Sequence, residues 1–261
     1  MQNYLGGLPV KQLSELWFPH RTPSVGASVR LFCFPFSGGN ASAYGTLTSA
    51  LPTNIDVCAI QLPGRGGRLR EAPVAQITQL VSMLADGLAQ HLDHPYAFFG
   101  HSMGALIAFE LTRELRRRGR PLPLHLFASA CAAPNILDRD QTHKLSDDQL
   151  IERLRALGGT SDEVLACREL MAMIIPVMRA DAAISEGYEY QAQAPLSIPI
   201  TAFCGLMDEK APQAQMEVWQ QHTTRTFHMN MVPGGHMFLL AEELDVVAAA
   251  VGQALDATCV H

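Results

Sequence analysis

The run Gly100-His101-Ser102-Met103-Gly104 follows the apolar stretch Tyr96-Ala97-Phe98-Phe99 and precedes a helical pattern. A G-x-S-x-G run in that setting is the sharp strand-to-helix turn that lifts a serine oxygen above a sheet. The chemistry it suits is nucleophilic: Ser102 attacks a carbonyl if a base takes its proton. Gly100 and Gly104 are expected to remove side chains that would collide with the neighbouring strand and helix. The helix N-terminus would aim backbone N–H groups at developing negative charge. His101, as a sequence neighbour at a sharp turn, projects away from Ser102 and is not expected to be its base.

The chain order Ser, then acid, then His is the one this kind of turn requires. Ile200–Cys204 reads as a strand that ends in Gly205-Leu206-Met207-Asp208. Asp208 is the favoured acid, with Glu209 beside it as the alternative. Phe227–Val232 reads as the last strand and runs into Pro233-Gly234-Gly235-His236-Met237-Phe238, which predicts His236 as the base. The other histidines (20, 91, 94, 125, 143, 222, 228 and 261) lack that setting. One oxyanion donor is expected from the Met103 N–H. The second is expected from a backbone N–H near Ser37 in Phe34-Pro35-Phe36-Ser37-Gly38-Gly39, the loop after the first predicted strand. No Lys-Ser/Thr follows those glycines, and Leu69 stands where Gly64-Arg65-Gly66 would need a third glycine, so neither phosphate-binding nor dinucleotide-binding loops are present.

These residues need a sheet to hold them. Strands are predicted at Val29–Phe34, Ile55–Ile60, Tyr96–Phe99, His125–Ser129, Ile200–Cys204 and Phe227–Val232, several of them continuous apolar runs suited to burial on both faces. Helices are predicted at Ile77–His91, Met103–Arg118 and from about Glu242 to Leu255, where apolar positions recur three and four apart. The alternation predicts a mostly parallel sheet flanked by helices, and with the elbow at Ser102 the fold expected is that of an α/β-hydrolase. It breaks between about Pro134 and Ala194, where only helical patterns occur. Ser146-Asp147-Asp148-Gln149 looks like a helix start before Leu150–Leu157, Gly158-Gly159 a stop, and Asp162 to about Arg179 a second helix. This insertion is expected to be a helical lid within a single domain over residues 1–261.

The balance of 19 basic against 25 acidic residues, a net charge of −6, excludes the basic surface that nucleic-acid binding needs. No run approaches the roughly 20 apolar residues of a membrane helix, and the first 20 residues lack an apolar secretion signal. A cytoplasmic protein without a membrane partner is expected. The six cysteines show no metal-ligand spacing and mostly sit in apolar segments, as reduced buried thiols would. Neither metal nor cofactor is expected. The run Arg113, Arg116, Arg117, Arg118 and Arg120 offers either a docking patch or cations offsetting the dipole at a helix C-terminus, and the second reading is favoured.

Taken together, these segments resemble the stand-alone type II thioesterases that accompany polyketide synthases and non-ribosomal peptide synthetases. The resemblance covers nearly the whole chain. It runs through the Phe34–Gly39 loop, Leu62-Pro63-Gly64-Arg65, Phe99–Gly104, Lys144-Leu145-Ser146-Asp147 with Leu157-Gly158-Gly159, Arg179-Ala180-Asp181, Gly205–Asp208 and Gly234–Phe238. It implies a Ser102–Asp208–His236 triad, an oxyanion hole from the Met103 and Ser37 amides, and hydrolysis of acyl thioesters on the phosphopantetheine arm of acyl or peptidyl carrier proteins. The role it implies is editing, or else release of an intermediate or product, in a protein expected to be monomeric. Ser37 departs from the alanine usual in the family, a change that keeps the backbone donor. A carboxylesterase or lipase acting on free esters, and a non-catalytic binder on the same scaffold, are the alternatives.

Overall fold

In the computed structural model, residues 4–5, 8–9, 16–21, 24, 26–137, 142–157, 160–240 and 244–259 are described. Six strands form one sheet: β1 Val29–Phe34, β2 Ile55–Ala59, β3 Tyr96–His101, β4 Leu126–Ser129, β5 Ile200–Gly205 and β6 Phe227–Val232. Their order is β2-β1-β3-β4-β5-β6, and every neighbouring pair is parallel. The helices are α1 Gly45–Ala50, α2 Ile77–Leu88, α3 Met103–Arg117, α4 Asp147–Leu157, α5 Asp162–Ala166, α6 Arg168–Glu186, α7 Gln213–Glu217 and α8 Leu244–Cys259.

Side-chain alternation along the strands divides the core. Phe32, Phe34 and Phe98 point to one face, where they pack under α2 and α3 with Leu80, Leu84, Ile107 and Leu111. Leu31, Cys33 and Phe99 point to the other, against Leu47 of α1 and Val247 and Val251 of α8. Burial on both faces explains why these strands read as unbroken apolar runs rather than alternating ones. The switch of strand order falls between β1 and β3, with Phe34 opposite Gly100. The loops leaving those two strand ends diverge, which opens the crevice where sheets of this kind hold ligands.

Several boundaries differ from expectation. β3 continues through Gly100 to His101, because His101 pairs in register with Ser129 of β4. β4 begins at Leu126, one residue later than the sequence suggests. The expected helix Asp162–Arg179 is two helices, since Cys167 adopts an extended conformation (φ −86°, ψ 105°) and its carbonyl starts α6 instead. Ser146 caps α4 reciprocally: its Oγ accepts the Gln149 N–H at 3.2 Å, and Gln149 Oε1 accepts the Ser146 N–H at 3.0 Å. The proposed stop at Gly158-Gly159 and the start near Glu242 lie outside the described residues.

Among the described residues between 134 and 194 the regular elements are all helices and 3-10 turns, with no strand. Leu150, Leu154, Leu165, Met171 and Met178 form a separate small core there. No helix among the described residues is long and apolar enough to cross a membrane. Cys33, Cys58, Cys131 and Cys204 are buried free thiols, as the sequence suggests.

Candidate active site

Ser102 joins β3 to α3 at φ 54°, ψ −122°, a region costly for a residue with a side chain. What holds it there is close packing on both sides. A Cβ on Gly100 would lie 2.1 Å from the Gly104 carbonyl oxygen, and one on Gly104 would lie 2.0 Å from that of Phe34. The Ser102 amide is tied to the Ser129 carbonyl at 2.8 Å. The first turn of α3 therefore rests directly on the end of β1, and Met103 comes to lie beside the Phe34–Gly39 loop.

Asp208 and His236 leave the adjacent ends of β5 and β6. Those two loops are joined by hydrogen bonds from the Leu206 amide to the Val232 carbonyl (2.8 Å) and from Met207 to Gly234 (2.9 Å). Gly205 permits this approach, since a Cβ there would lie 2.9 Å from the Gly235 carbonyl. His236 Nδ1 lies 2.9 and 3.1 Å from the two Asp208 carboxylate oxygens, and Nε2 lies 3.0 Å from Ser102 Oγ. A carboxylate only accepts, so Nδ1 carries the proton, Nε2 is the acceptor, and the Ser102 hydroxyl donates to it. Burial disfavours the Asp208 charge. The hydrogen bond and charge of His236, with the Ala211 and Lys210 amides, outweigh that and hold the carboxyl below the usual range. Glu209, the sequence alternative, is exposed, and the carboxylate hydrogen-bonded to the imidazole is that of Asp208.

His101 turns away from Ser102, as its position in the turn suggests. What the sequence does not reveal is its destination. Its Nε2 lies 2.8 Å from the main-chain oxygen of His236 and its Nδ1 lies 2.8 Å from Ser129 Oγ. The carbonyl can only accept, so Nε2 donates and the Ser129 hydroxyl donates to Nδ1. Burial, then the nearby His236, pushes the His101 pKa down to about 3, which keeps the ring neutral.

On the other side of the crevice, Phe36–Gly39 forms a turn closed by the Gly39 amide on the Phe36 carbonyl (2.9 Å). Gly38, at φ 75°, is the residue such a turn needs. Among the described residues, neither the Ser37 nor the Met103 amide has a hydrogen-bond partner. Both residues line a cavity of about 660 Å³ that also contains Ser102 and His236. Phe36, Leu106, Leu137, Leu154, Ile174 and Met178 give it apolar walls. A serine with a paired imidazole, two free amides and an apolar recess can carry out acyl transfer on a hydrophobic acyl group.

The remaining candidates lie elsewhere. His94 contacts the Ala27 carbonyl, His125 stacks on Phe127, His222 bonds Asn135, and His20 and His228 are exposed. His261 and the His143 side chain lie outside the described residues. Four members of the arginine run make contacts within the chain. Arg113 pairs with Glu110, Arg116 with the Ala194 and Pro195 carbonyls, Arg117 with Glu114, and Arg118 with Glu114 and Asp86. Carboxylates thus pair with Arg113, Arg117 and Arg118, while Arg116 ties the end of α3 to the 194–195 main chain. Arg116 also lies roughly 20 Å along α3 from Met103.

The family model described as "Thioesterase domain" matches residues 29–255. The chain is 40% identical over 232 residues to the gramicidin S biosynthesis protein GrsT of Aneurinibacillus migulanus, a match covering 88% of this chain and 91% of that protein. The solved structure of RedJ, a thioesterase from the prodiginine biosynthetic pathway in Streptomyces coelicolor, is similar with a TM-score of 0.84 at 39% identity, covering 92% of this chain and 98% of RedJ. BorB, a type II thioesterase from the borrelidin biosynthetic cluster, is similar with a TM-score of 0.81 at 34% identity, covering 92% and 98%.

Proposed function

The chain belongs to the thioesterase domain family, and from that premise we propose that it hydrolyses acyl thioesters carried on the phosphopantetheine arm of acyl or peptidyl carrier proteins. The observation that carries this reading is the unbroken line from Asp208 through His236 to Ser102 Oγ at the mouth of an apolar cavity. Relatives from gramicidin S, prodiginine and borrelidin biosynthesis support a carrier protein as the source of the acyl group.

In the proposed reaction, Ser102 Oγ attacks the thioester carbonyl carbon while its proton passes to His236 Nε2. Asp208 stabilises the imidazolium that results. The carbonyl oxygen becomes an oxyanion held by the Met103 and Ser37 N–H groups. Collapse breaks the carbon–sulfur bond, and the imidazolium returns the proton to the departing sulfur, leaving acyl-Ser102 and a free thiol. Water then gives a proton to His236 and attacks the acyl carbon, and the second collapse releases a carboxylic acid and restores the Ser102 hydroxyl. No cofactor or metal takes part. The proposal includes a monomeric, cytoplasmic enzyme of one domain whose helices between residues 134 and 194 cover the site. Its role would be to clear misloaded acyl groups, with release of a pathway intermediate or product as the variant of the same chemistry.

The test is intact-mass analysis of acyl-loaded carrier proteins incubated with wild type or Ser102→Ala. Wild type should unload short acyl chains while hydrolysing matched oxygen esters slowly, and Ser102→Ala should lose more than about 10⁴-fold of the rate. Substantial unloading by Ser102→Ala overturns the mechanism. Faster cleavage of oxygen esters overturns the substrate class.

A further inference from the structure

Two residues outside the candidate triad join the helical insertion to the loop that carries Ser37. Asp181 on α6 is fully buried and Arg65, from the Pro63-Gly64-Arg65 loop, nearly so. Arg65 Nη1 and Nη2 donate to Asp181 Oδ2 and Oδ1 at 2.6 and 2.7 Å, a planar two-point pairing. The pair does not stop at itself. Asp181 Oδ2 also accepts the Gly38 amide at 2.7 Å, and Arg65 Nη1 reaches the Gly39 carbonyl at 3.3 Å. Met178, one turn before Asp181 on α6, packs so closely that a Cβ on Gly38 would lie 2.3 Å from its sulfur. Gln61 steadies Arg65 in turn, since its amide nitrogen donates to the Arg65 carbonyl at 3.0 Å.

The Gly38 amide belongs to the central peptide of the Phe36–Gly39 turn, the unit that rotates when such a turn changes type. Asp181 fixes that peptide in one orientation, and Arg65 holds the Gly39 carbonyl, where the chain leaves the turn. With the Gly38 and Gly39 amides both taken, the amide of Ser37, a residue that lines the cavity, is left without a partner among the described residues. A donor already aimed when charge develops needs no rearrangement in the transition state.

We propose that the Arg65–Asp181 pair is a positioning device that sets the Ser37 amide for oxyanion binding, so that α6 of the insertion is part of the catalytic scaffold as well as a wall of the cavity. This rests on the thioesterase mechanism given above. It concerns positioning residues, since neither side chain need touch substrate.

The experiment compares wild type, Asp181→Asn and the double variant Arg65→Met/Asp181→Leu on a small acyl-pantetheine thioester. Replacing a buried ion pair by apolar side chains of similar size is commonly tolerated, so the double variant separates loss of the clamp from an uncompensated buried charge. Circular dichroism and Tm check its folding. The expected result is a fall in kcat of about 30- to 100-fold in the double variant, with KM within about threefold. Affinity for an acyl trifluoromethyl ketone, whose adduct with Ser102 carries the oxyanion, should weaken by a similar factor. Asp181→Asn keeps the shape but turns either its nitrogen or its single acceptor the wrong way for Arg65 or Gly38, and should lose about tenfold in kcat. A folded double variant with kcat and inhibitor affinity within threefold of wild type overturns the proposal. If the double variant does not fold, Asp181→Asn decides, and kcat within twofold of wild type overturns it. Failure of the underlying mechanism looks different: wild type would turn over no thioester, or Ser102→Ala would match it, and the clamp's role would fall with it.

Discussion

His101 Nε2 lies 2.8 Å from the main-chain oxygen of His236, so the residue before Ser102 holds the loop whose imidazole reaches Ser102. The contact spans 135 residues of sequence, and burial keeps the ring neutral, so that Nδ1 can accept from the Ser129 hydroxyl while Nε2 donates to the carbonyl. His101→Ala removes the tie and leaves a cavity in a fully buried position. The expected outcome is a kcat lower by about 10- to 100-fold, with stability reduced by roughly 3 kcal/mol, measured by steady-state kinetics and urea denaturation. Wild-type kcat in a folded His101→Ala protein would count against this role.

Gly104→Ala tests the packing of the elbow on β1. The added methyl would sit 2.0 Å from the Phe34 carbonyl oxygen, a main-chain atom that cannot move without moving the strand. Loss of about 3 kcal/mol or more is expected, or no soluble protein at all. An unchanged denaturation midpoint would show that α3 can slide away from β1.

Buried histidines make stability fall in mild acid. Burial, aided by neighbouring positive groups, lowers the pKa to about 3 for His101, about 4 for His125 and about 4 for His222. In the unfolded chain each titrates near about 6.5. Between about pH 6.5 and pH 4 the unfolded state therefore binds protons that the native state does not, and stability rises with pH across that window. Each histidine contributes a slope of roughly 1.4 kcal/mol per pH unit. Asp208 acts at lower pH. Its depressed pKa contributes stability above the unfolded value of about 3.9, lost as pH falls through the folded one. Burial lowers the His91 pKa as well, which adds to the same slope; urea denaturation at pH 7, 6 and 5 measures it, and His125→Phe should reduce it by roughly 1.4 kcal/mol per pH unit.

Charge reversal at the end of α3 should leave carrier recognition intact. Arg116 and Arg117 already serve main-chain carbonyls and Glu114. Arg116→Glu/Arg117→Glu is expected to keep the ratio of rates on carrier-bound and small thioesters within about twofold of wild type. Selective loss on the carrier-bound substrate would restore this face as a docking patch.

Ile174→Trp adds bulk to a half-buried position on the cavity wall. kcat/KM for acyl chains of eight or more carbons should drop by about tenfold or more relative to acetyl, a loss corresponding to roughly 1.4 kcal/mol or more. An equal effect on both chain lengths would place the acyl group elsewhere.

What could be read from the sequence was whatever depends on near neighbours. The elbow around Ser102 is spelled out by glycines two residues away on either side. The strands leading to Ser102 and Asp208 are near-continuous apolar runs, the one leading to His236 alternates apolar Phe227, Met229 and Met231 with polar His228 and Asn230, and the starts and stops of all three fall within two residues of expectation. The cap at Ser146 and Gln149 was legible for the same reason, because its partners lie within one helical turn. The break at Cys167 was not, since the apolar spacing runs on through it and only the backbone turns.

Tertiary structure alone decided how the surroundings of Ser102 are held. Asp208 rather than Glu209 faces His236 because the β5 and β6 loops are bonded to each other, which buries one carboxylate and leaves the other in solvent. Arg65 and Asp181 are 116 residues apart, and His101 and the His236 carbonyl 135. No spacing rule links such positions. Hydrogen bonds between groups so distant in the chain exist only once a sheet has brought their loops to the same edge. Sequence thus determined which chemistry Ser102 could perform, and the packing of loops at the sheet's end decided which residues hold it in place.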